Sequence, residues 1–320
     1  GEESELSING KKFDIFELMD VNAARFAQVY PDTAEAYNQK LAPAGLEDVK
    51  PYKAKKADLK YKGEPVEKPI AYLPVFPGTN CDYDSAKAFR TAGAEVRMSV
   101  FCNLTEDDIF RSIAEMKKNI DECHILMLSG GFSAGDEPDG SGKFIANVLN
   151  NKEIADAIHA LIDRGGLILG ICNGFQALVK SGLLPYGRLG MVTKESPTLF
   201  RNDINRHISQ IVTTRVGTTN SPWLKGFAIG DLHTIAVSHG EGKFVVNEEL
   251  AKELFANGQV AFQYVDPIDE EVTMESPYNP NGSYYAIEGI ISRNGQILGK
   301  MGHTERFEGN LFKNIMDEGL

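Results

Sequence analysis

Leu167-Ile168-Leu169-Gly170-Ile171-Cys172-Asn173-Gly174-Phe175-Gln176-Ala177-Leu178-Val179 reads as an apolar strand, a tight turn and the opening of a helix. Its centre, Gly170 to Gly174, has the form G-x-C-x-G, and a strand before and a helix after are the context of a nucleophile elbow. The glycines let the backbone turn sharply and approach its neighbours without Cβ clashes. The turn lifts the Cys172 sulfur out of the sheet and places a helix N-terminus behind it, a setting that suits a reactive sulfur. The competing account is a buried structural cysteine in a strand–helix turn.

Working outward, the same alternation recurs on both sides. Ile70–Val75 is an apolar strand, followed by the turn Pro77-Gly78-Thr79-Asn80 and a helix over Asp82–Ala92. Glu95–Phe101 is a second strand. Thr105 then caps a helix that opens with Glu106, Asp107 and Asp108, the charge sign a helix N-terminus favours. His124–Leu128 is a third strand ending in Ser129-Gly130-Gly131, a long helix is expected over Phe144–Arg164, and Leu167–Ile171 is the fourth strand. Strands and helices alternating at this spacing predict an α/β fold with an open, mostly parallel sheet flanked by helices. After residue 188 the texture turns β-rich, which predicts a β-rich insertion.

A nucleophilic cysteine needs a base, and the base an orienting group. His303 lies in Gly302-His303-Thr304-Glu305-Arg306, where an extended backbone would project residues 303 and 305 to one side. Glu305 would then fix the imidazole. Read alone, the pair is a surface histidine near a carboxylate. His159 and His124 read as structural, and His207 and His233 carry no local signal. The Gly130-Gly131 turn at a strand's C-terminal end can aim N–H groups inward and, with the N–H of Asn173, form an oxyanion hole. The bland alternative is an ordinary strand–helix loop.

Five strings occur in order: Phe76–Asp82 (FPGTNCD), Leu128–Asp136 (LSGGFSAGD), Gly170–Gln176 (GICNGFQ), Ser238–Gly242 (SHGEG) and Gly302–Arg306 (GHTER). Together they resemble the glutaminase portion of phosphoribosylformylglycinamidine (FGAM) synthase, over roughly residues 69–316. The chain resembles the large fused form more than the stand-alone subunit. The family often places proline beside the histidine; here Gly302 and Thr304 flank it, and the His–x–Glu pair is intact. The resemblance implies a flavodoxin-like class I glutamine amidotransferase fold. It implies Cys172 as nucleophile, His303 as acid/base, Glu305 as orienting group, and Gly131 and Asn173 as oxyanion donors. Gln176, Ser238, His239 and Gly240 would hold the substrate glutamine. Ammonia released through a cysteine thioester would then serve the ATP-dependent conversion of formylglycinamide ribonucleotide to the amidine in purine biosynthesis. The implied partner is an FGAM synthetase domain, which would hold the ATP and Mg; no cofactor or metal is expected in this chain. Other class I amidotransferases share the elbow and the His–x–Glu pair, and a non-catalytic module docking to a synthetase is the reading from a different class.

Residues 1–42 read as the C-terminal edge of an upstream synthetase region, 43–68 as a linker rich in Lys, Pro, Glu and Ala, and 69–320 as the amidotransferase domain. Within the first segment, Ser4–Ile15 reads as a strand pair turning at Asn9-Gly10, and Phe16–Gln28 as helical. The first residue is Gly rather than Met, which fits a piece of a longer protein.

The 320 residues are 42% hydrophobic, enough to bury a sizeable core. Asp and Glu total 45 against 33 Lys and Arg, a formal net charge of −12, which argues against a uniformly basic nucleic-acid surface. No apolar run is long enough to span a membrane. The 4 cysteines, Cys81, Cys102, Cys123 and Cys172, form no dense framework and suit a reducing, cytoplasmic setting. Cys81 reads as structural, with a reactive thiol as the alternative, and Cys102 and Cys123 read as packing residues. Trp223 reads as a core plug, with a docking contact as the alternative. Asn202 and Arg206 read as parts of a solvated loop rather than a partner-facing one.

Overall fold

The computed structural model describes residues 5–15, 17, 18, 21, 63–135 and 142–306. The chain divides into two compact units, Gly1–Ala42 and Pro43–Leu320. In the first, β1 (Glu5–Ile8) and β2 (Lys11–Asp14) pair antiparallel with Ile8 opposite Lys11. The two-residue loop is Asn9-Gly10, both at positive φ (51° and 77°), as a tight hairpin turn on this strand twist demands. The helix expected over Phe16–Gln28 lies, apart from Glu17, Leu18 and Val21, outside the described residues, as do residues 43–62 of the expected linker.

The second unit opens on β3 (Ile70–Val75), α1 (Asp82–Thr91), β4 (Glu95–Val100), α2 (Glu106–Glu122) and β5 (Ile125–Leu128). Thr105 caps α2 as its sequence predicts, its Oγ1 accepting the Asp108 N–H at 3.1 Å. The single helix expected over Phe144–Arg164 is two, α3 (Lys143–Leu149) and α4 (Lys152–Asp163). The break is at Asn150-Asn151, where the Asn151 Oδ1 accepts the N–H groups of Glu153 (3.0 Å) and Ile154 (3.4 Å). An asparagine amide competes with the helical ladder and starts a new helix instead. Ile154, Ala157, Ile158, Leu161 and Ile162 then bury one face of α4, and each large side chain fully buried contributes roughly 1.5–3 kcal/mol.

Next come β6 (Leu167–Ile171), α5 (Asn173–Ser181), β7 (Thr198–Phe200), β8 (Ile208–Val216), β9 (Leu232–His239) and β10 (Lys243–Val245). They are followed by α6 (Glu248–Ala256), β11 (Val260–Val265), β12 (Ile287–Ile291) and β13 (Ile297–Lys300). Among the described residues nine strands form one sheet in the order β4-β3-β5-β6-β13-β12-β11-β8-β9. The first five are parallel, and the rest continue antiparallel. The β-rich segment thus extends the central sheet, and only β7 and β10 form a ladder of their own. No helix among the described residues is long and apolar enough to cross a membrane.

Two consequences position the site. The parallel strands β3, β5, β6 and β13 all deliver their C-terminal loops to one edge, where ligands sit in open α/β sheets. Alternation through β12, β11 and β8 returns β9 to that same direction, so Ser238 and His239 end there too. The sheet also curls, because the His303 N–H donates to the Ala236 carbonyl of β9 at 2.9 Å although β9 is four strands from β13.

The two faces of β6 bury different partners. A Cβ on Gly170 would lie 2.5 Å from Leu178 of α5. On the other face Leu169 and Ile171 line a cavity of about 200 Å³ with Phe89 of α1 and Trp223. Trp223 packs against the cluster around Val216, Leu224, Ala261 and Phe262, and its Nε1 donates to the Gln296 carbonyl at 3.2 Å, the core role expected of it.

Candidate active site

Cys172 is the N-cap of α5 and has φ 52° and ψ −106°. A non-glycine residue in this region stores about 1–3 kcal/mol of strain, which neighbours must hold in place. Here they do: the Cys172 N–H donates to the Lys300 carbonyl at 2.9 Å, extending the β6–β13 ladder past the strand end. Gly174 completes the turn, since a Cβ there would meet the Leu128 carbonyl oxygen at 1.9 Å. The sulfur is buried and donates toward the Ser238 carbonyl at 3.7 Å. The elbow read from the sequence is the backbone geometry observed.

His303 lies beside Cys172, both of them against Gly130, and its Nδ1 is 2.6 Å from the Glu305 Oε1. The segment is not the extended one expected. Thr304–Arg306 is a turn of 3-10 helix, which folds Glu305 back under the imidazole. Behind the histidine, the Gly302 N–H donates to the buried Glu288 Oε1 at 2.5 Å. Burial opposes a charged His303. Hydrogen bonds to Cys172, Cys81 and Glu305 outweigh it and raise its pKa far above the usual histidine range. The Glu305 Oε2 is buried with no hydrogen-bond partner among the described residues.

The glycine loop after β5 pairs with the loop after β3. The Asn80 N–H donates to Gly130 O at 3.2 Å and the Phe132 N–H to Gly78 O at 2.9 Å, with Thr79 opposite Gly131. These bonds flank Gly131, so its own N–H points away from the 76–81 loop. Gly130 sits against the reactive groups: a Cβ on it would lie 2.8 Å from His303 Cε1, 3.0 Å from Cys81 Sγ and 3.5 Å from Cys172 Cβ. Asn173 joins this loop to the elbow helix, its Oδ1 accepting the Ser133 N–H at 3.3 Å and its Nδ2 donating to Gln176 Oε1 at 2.9 Å. The last residue of the FPGTNCD string, Asp82, opens α1; that of the LSGGFSAGD string, Asp136, lies outside the described residues.

The 238–242 segment is pinned from below. Gln176 donates to the Glu241 carbonyl at 2.6 Å, so its amide nitrogen and oxygen both have protein partners. The His239 ring turns inward, its Nε2 accepting from Asn281 Nδ2 at 3.0 Å. Burial, then the charges of His303 and His207, push its pKa down to about 3, so His239 is neutral. Ser238 presents its carbonyl to Cys172, and its Oγ is 3.0 Å from His207 Nε2. The Gly240 carbonyl accepts the Asn202 N–H at 3.0 Å.

The structure corrects two expectations. Asn202 is fully buried, not solvated: it donates to the carbonyls of Arg206 (3.0 Å) and His239 (2.8 Å) and accepts the Gly242 N–H at 3.1 Å. Arg206 itself is exposed. Cys102 is exposed rather than packed, because β4 ends at Val100 before reaching it. Cys81 is buried, as a structural cysteine would be, and its sulfur is 3.9 Å from His303 Nδ1 and accepts from Arg306 Nη2 at 3.0 Å. His207 also reaches the rim, its ring 6.2 Å from that of Phe132. The only sequence signal for Cys81 was its place in FPGTNCD; His207 had none. Cys123 is buried as expected, and burial pushes its thiol up to about 12. His124 and His159 accept backbone N–H groups and are structural.

Cys81, His303 and Glu305 place donor atoms within 4.8 Å of one another, a set that suits zinc in its chemistry. The positive group touching that sulfur is the Arg306 guanidinium, which opposes a metal cation at the same place.

Over residues 68–319 the chain matches the family described as CobB/CobQ-like glutamine amidotransferase domain. It is 36% identical over 231 residues to phosphoribosylformylglycinamidine synthase subunit PurQ of Methanococcus maripaludis strain C5, covering 72% of this chain and 80% of that protein. It is 34% identical over 232 residues to the subunit of the same name from Gloeobacter violaceus, covering 72% and 86%. The solved structure of PurLQS from Thermotoga maritima matches with a TM-score of 0.54 and 28% identity, covering 75% of this chain and 89% of that one.

Proposed function

The chain belongs to the CobB/CobQ-like glutamine amidotransferase domain family, and on that premise we propose that it is the glutaminase of an FGAM synthase. The observation that carries the chemistry is Cys172 held at φ 52° on the strand–helix turn, with His303 beside it and bonded to Glu305. The purine role is supported by the name its curated relatives share.

The Cys172 thiol passes its proton to His303, and the sulfur attacks the side-chain amide carbon of glutamine. Negative charge gathers on the amide oxygen, where the N–H groups of Gly131 and Asn173 are the proposed donors. His303 returns the proton to the nitrogen as the carbon–nitrogen bond breaks. Ammonia leaves and a γ-glutamyl thioester remains on Cys172. A water then gives a proton to His303 and attacks the thioester, releasing glutamate and regenerating the thiol. Glu305 holds the imidazole throughout. Ser238 and Gly240 are proposed to meet glutamine through backbone groups. Gln176 and His239 act from beneath by shaping that loop, since both ends of the Gln176 amide and the His239 Nε2 bond to protein.

Ammonia would pass to a synthetase partner that holds ATP and Mg and converts the formylglycinamide ribonucleotide. The finer proposal is that this partner lies in the same polypeptide. Its support is residues 1–67, which precede the family match; the curated relatives are named as subunits. A reducing cytoplasmic setting is supported by four free cysteines. The test is labelling of the synthetase complex by a glutamine-analogue electrophile. Covalent adduct on Cys172 with loss of glutamine-dependent amidation is expected, and an unlabelled Cys172 in a complex active with ammonia would sink the proposal.

A further inference from the structure

Cys81 lies 222 residues before His303 in sequence and beside it in space. Its backbone is fixed on both sides. The N–H donates to the Gly130 carbonyl at 3.2 Å, and its own carbonyl accepts from Ser85 N (3.0 Å) and Ser85 Oγ (2.7 Å). The side chain is buried. Its sulfur donates to Asn80 Oδ1 at 3.1 Å, accepts from Arg306 Nη2 at 3.0 Å and stands 3.9 Å from His303 Nδ1. Arg306 is steadied in turn by Asp84 of α1, Nε to Oδ2 at 3.6 Å.

We infer that Cys81, held by Arg306, is a positioning residue for the acid/base histidine, flanking with Glu305 the Nδ1 edge of the ring that works on Cys172. The inference rests on the reading of His303 as the acid/base. Three things make the sulfur suited to this. It is large enough to fill the space that Gly130 leaves open between Cys172 and His303. Restraint at Nδ1 by two groups limits rotation of the imidazole, and a misplaced base loses catalytic effectiveness steeply with distance. The Arg306 guanidinium fixes the sulfur, so its position is set by the start of α1 and by the loop after β13 together.

The charged and titratable groups around His303 are Cys172 at the elbow, Cys81 at the N-cap of α1, Asp84 on α1, Glu305 and Arg306 on its own turn, Glu288 on β12 and His239 on β9. The hydrogen bond to Cys81 is one of three that raise the His303 pKa against its burial. Removing it lowers the pH at which the imidazolium is lost.

The experiment uses the complex with the synthetase and compares wild type, Cys81→Ala, Cys81→Ser, Arg306→Met and the Cys81→Ala/Arg306→Met double variant. Glutaminase kcat, KM and pH profile are measured, with ammonia-dependent amidation as the check on folding and assembly. Cys81→Ala and Arg306→Met are each expected to lower kcat about tenfold with KM nearly unchanged. The alkaline limb of kcat should move to lower pH, Cys81→Ser should recover part of the loss, and the double variant should be no worse than either single one. Wild-type kcat and pH profile in Cys81→Ala, or losses that simply add in the double variant, would overturn the inference. Should Cys81→Ala not fold, Arg306→Met decides alone by the same kcat and pH criteria. No glutaminase turnover in the wild-type complex, with Cys172 unlabelled, would overturn the underlying reading and the inference with it. Turnover and labelling with an unaffected Cys81→Ala would overturn the inference only.

Discussion

Gln176 Nε2 donates to the backbone carbonyl of Glu241 at 2.6 Å, joining the elbow helix to the loop that faces Cys172. The amide oxygen of the same residue accepts from Asn173 at 2.9 Å, so one buried side chain couples the Cys172 turn to the 238–242 loop. Gln176→Leu removes one hydrogen bond from the Glu241 carbonyl and one from the Asn173 amide. Loss of buried hydrogen bonds of this kind costs about 1–3 kcal/mol in all. Urea unfolding should show a loss in that range, and the KM for glutamine should rise; unchanged stability and KM would remove the coupling role.

Cys172 tests the strain argument directly. With φ at 52° and ψ at −106°, alanine gains nothing from its Cβ, whereas glycine relaxes into this region. Both Cys172→Ala and Cys172→Gly should abolish glutamine-dependent activity and keep ammonia-dependent amidation. The glycine variant should be the more stable of the two by about 1 kcal/mol, the reverse of the order inside a helix. Thermal denaturation of the pair decides it.

Asn202 holds the 202–206 turn and the 238–242 loop through both ends of its amide. Asn202→Ala is expected to cost about 2–3 kcal/mol, because several buried backbone groups lose a partner together. Its kinetic signature should be a raised KM for glutamine with Cys172 still open to labelling. A fall in labelling rate at saturating reagent would instead mean that the loop shapes the nucleophile itself.

His239 makes stability depend on acid. Burial holds its folded-state pKa at about 3, while an unfolded chain titrates near 6.5. Between those values the unfolded state takes up a proton that the folded state refuses. Stability is therefore fully present above about pH 6.5 and falls as pH drops toward 3, by at most about 1.4 kcal/mol per pH unit. His303 has the opposite sign: its folded pKa is raised, so its contribution is present below about 6.5 and is lost as pH rises. In His239→Gln the acid-side slope between pH 6 and 4 should be shallower than in wild type by up to one proton. Equal slopes in chemical denaturation across that window would show that His239 is not held neutral.

The elements with local causes were legible in the sequence. The strand Ile70–Val75, the Thr105 cap and the strand–Cys172–helix turn follow from periodicity, capping chemistry and glycine spacing over a few residues. The pairing of His303 with Glu305 was legible as a partnership but not as a shape, since a turn rather than an extended strand brings them together. The division of the expected long helix turned on whether two adjacent asparagines would cap or continue, which pattern alone does not settle.

What the sequence by itself determined was the alternating strand–helix order, the strand–Cys172–helix turn and the partnership of His303 with Glu305. Those depend on residues that are neighbours along the chain. Only the tertiary structure decided that Cys81 and Arg306 stand at His303, that Asn202 is buried beneath the 238–242 loop, and that Ala236 receives the His303 N–H. These contacts exist because parallel strands bring distant loops to one edge and because the antiparallel half of the sheet curls back over it. Curvature of that kind is a property of the whole sheet, so no local run of residues encodes it.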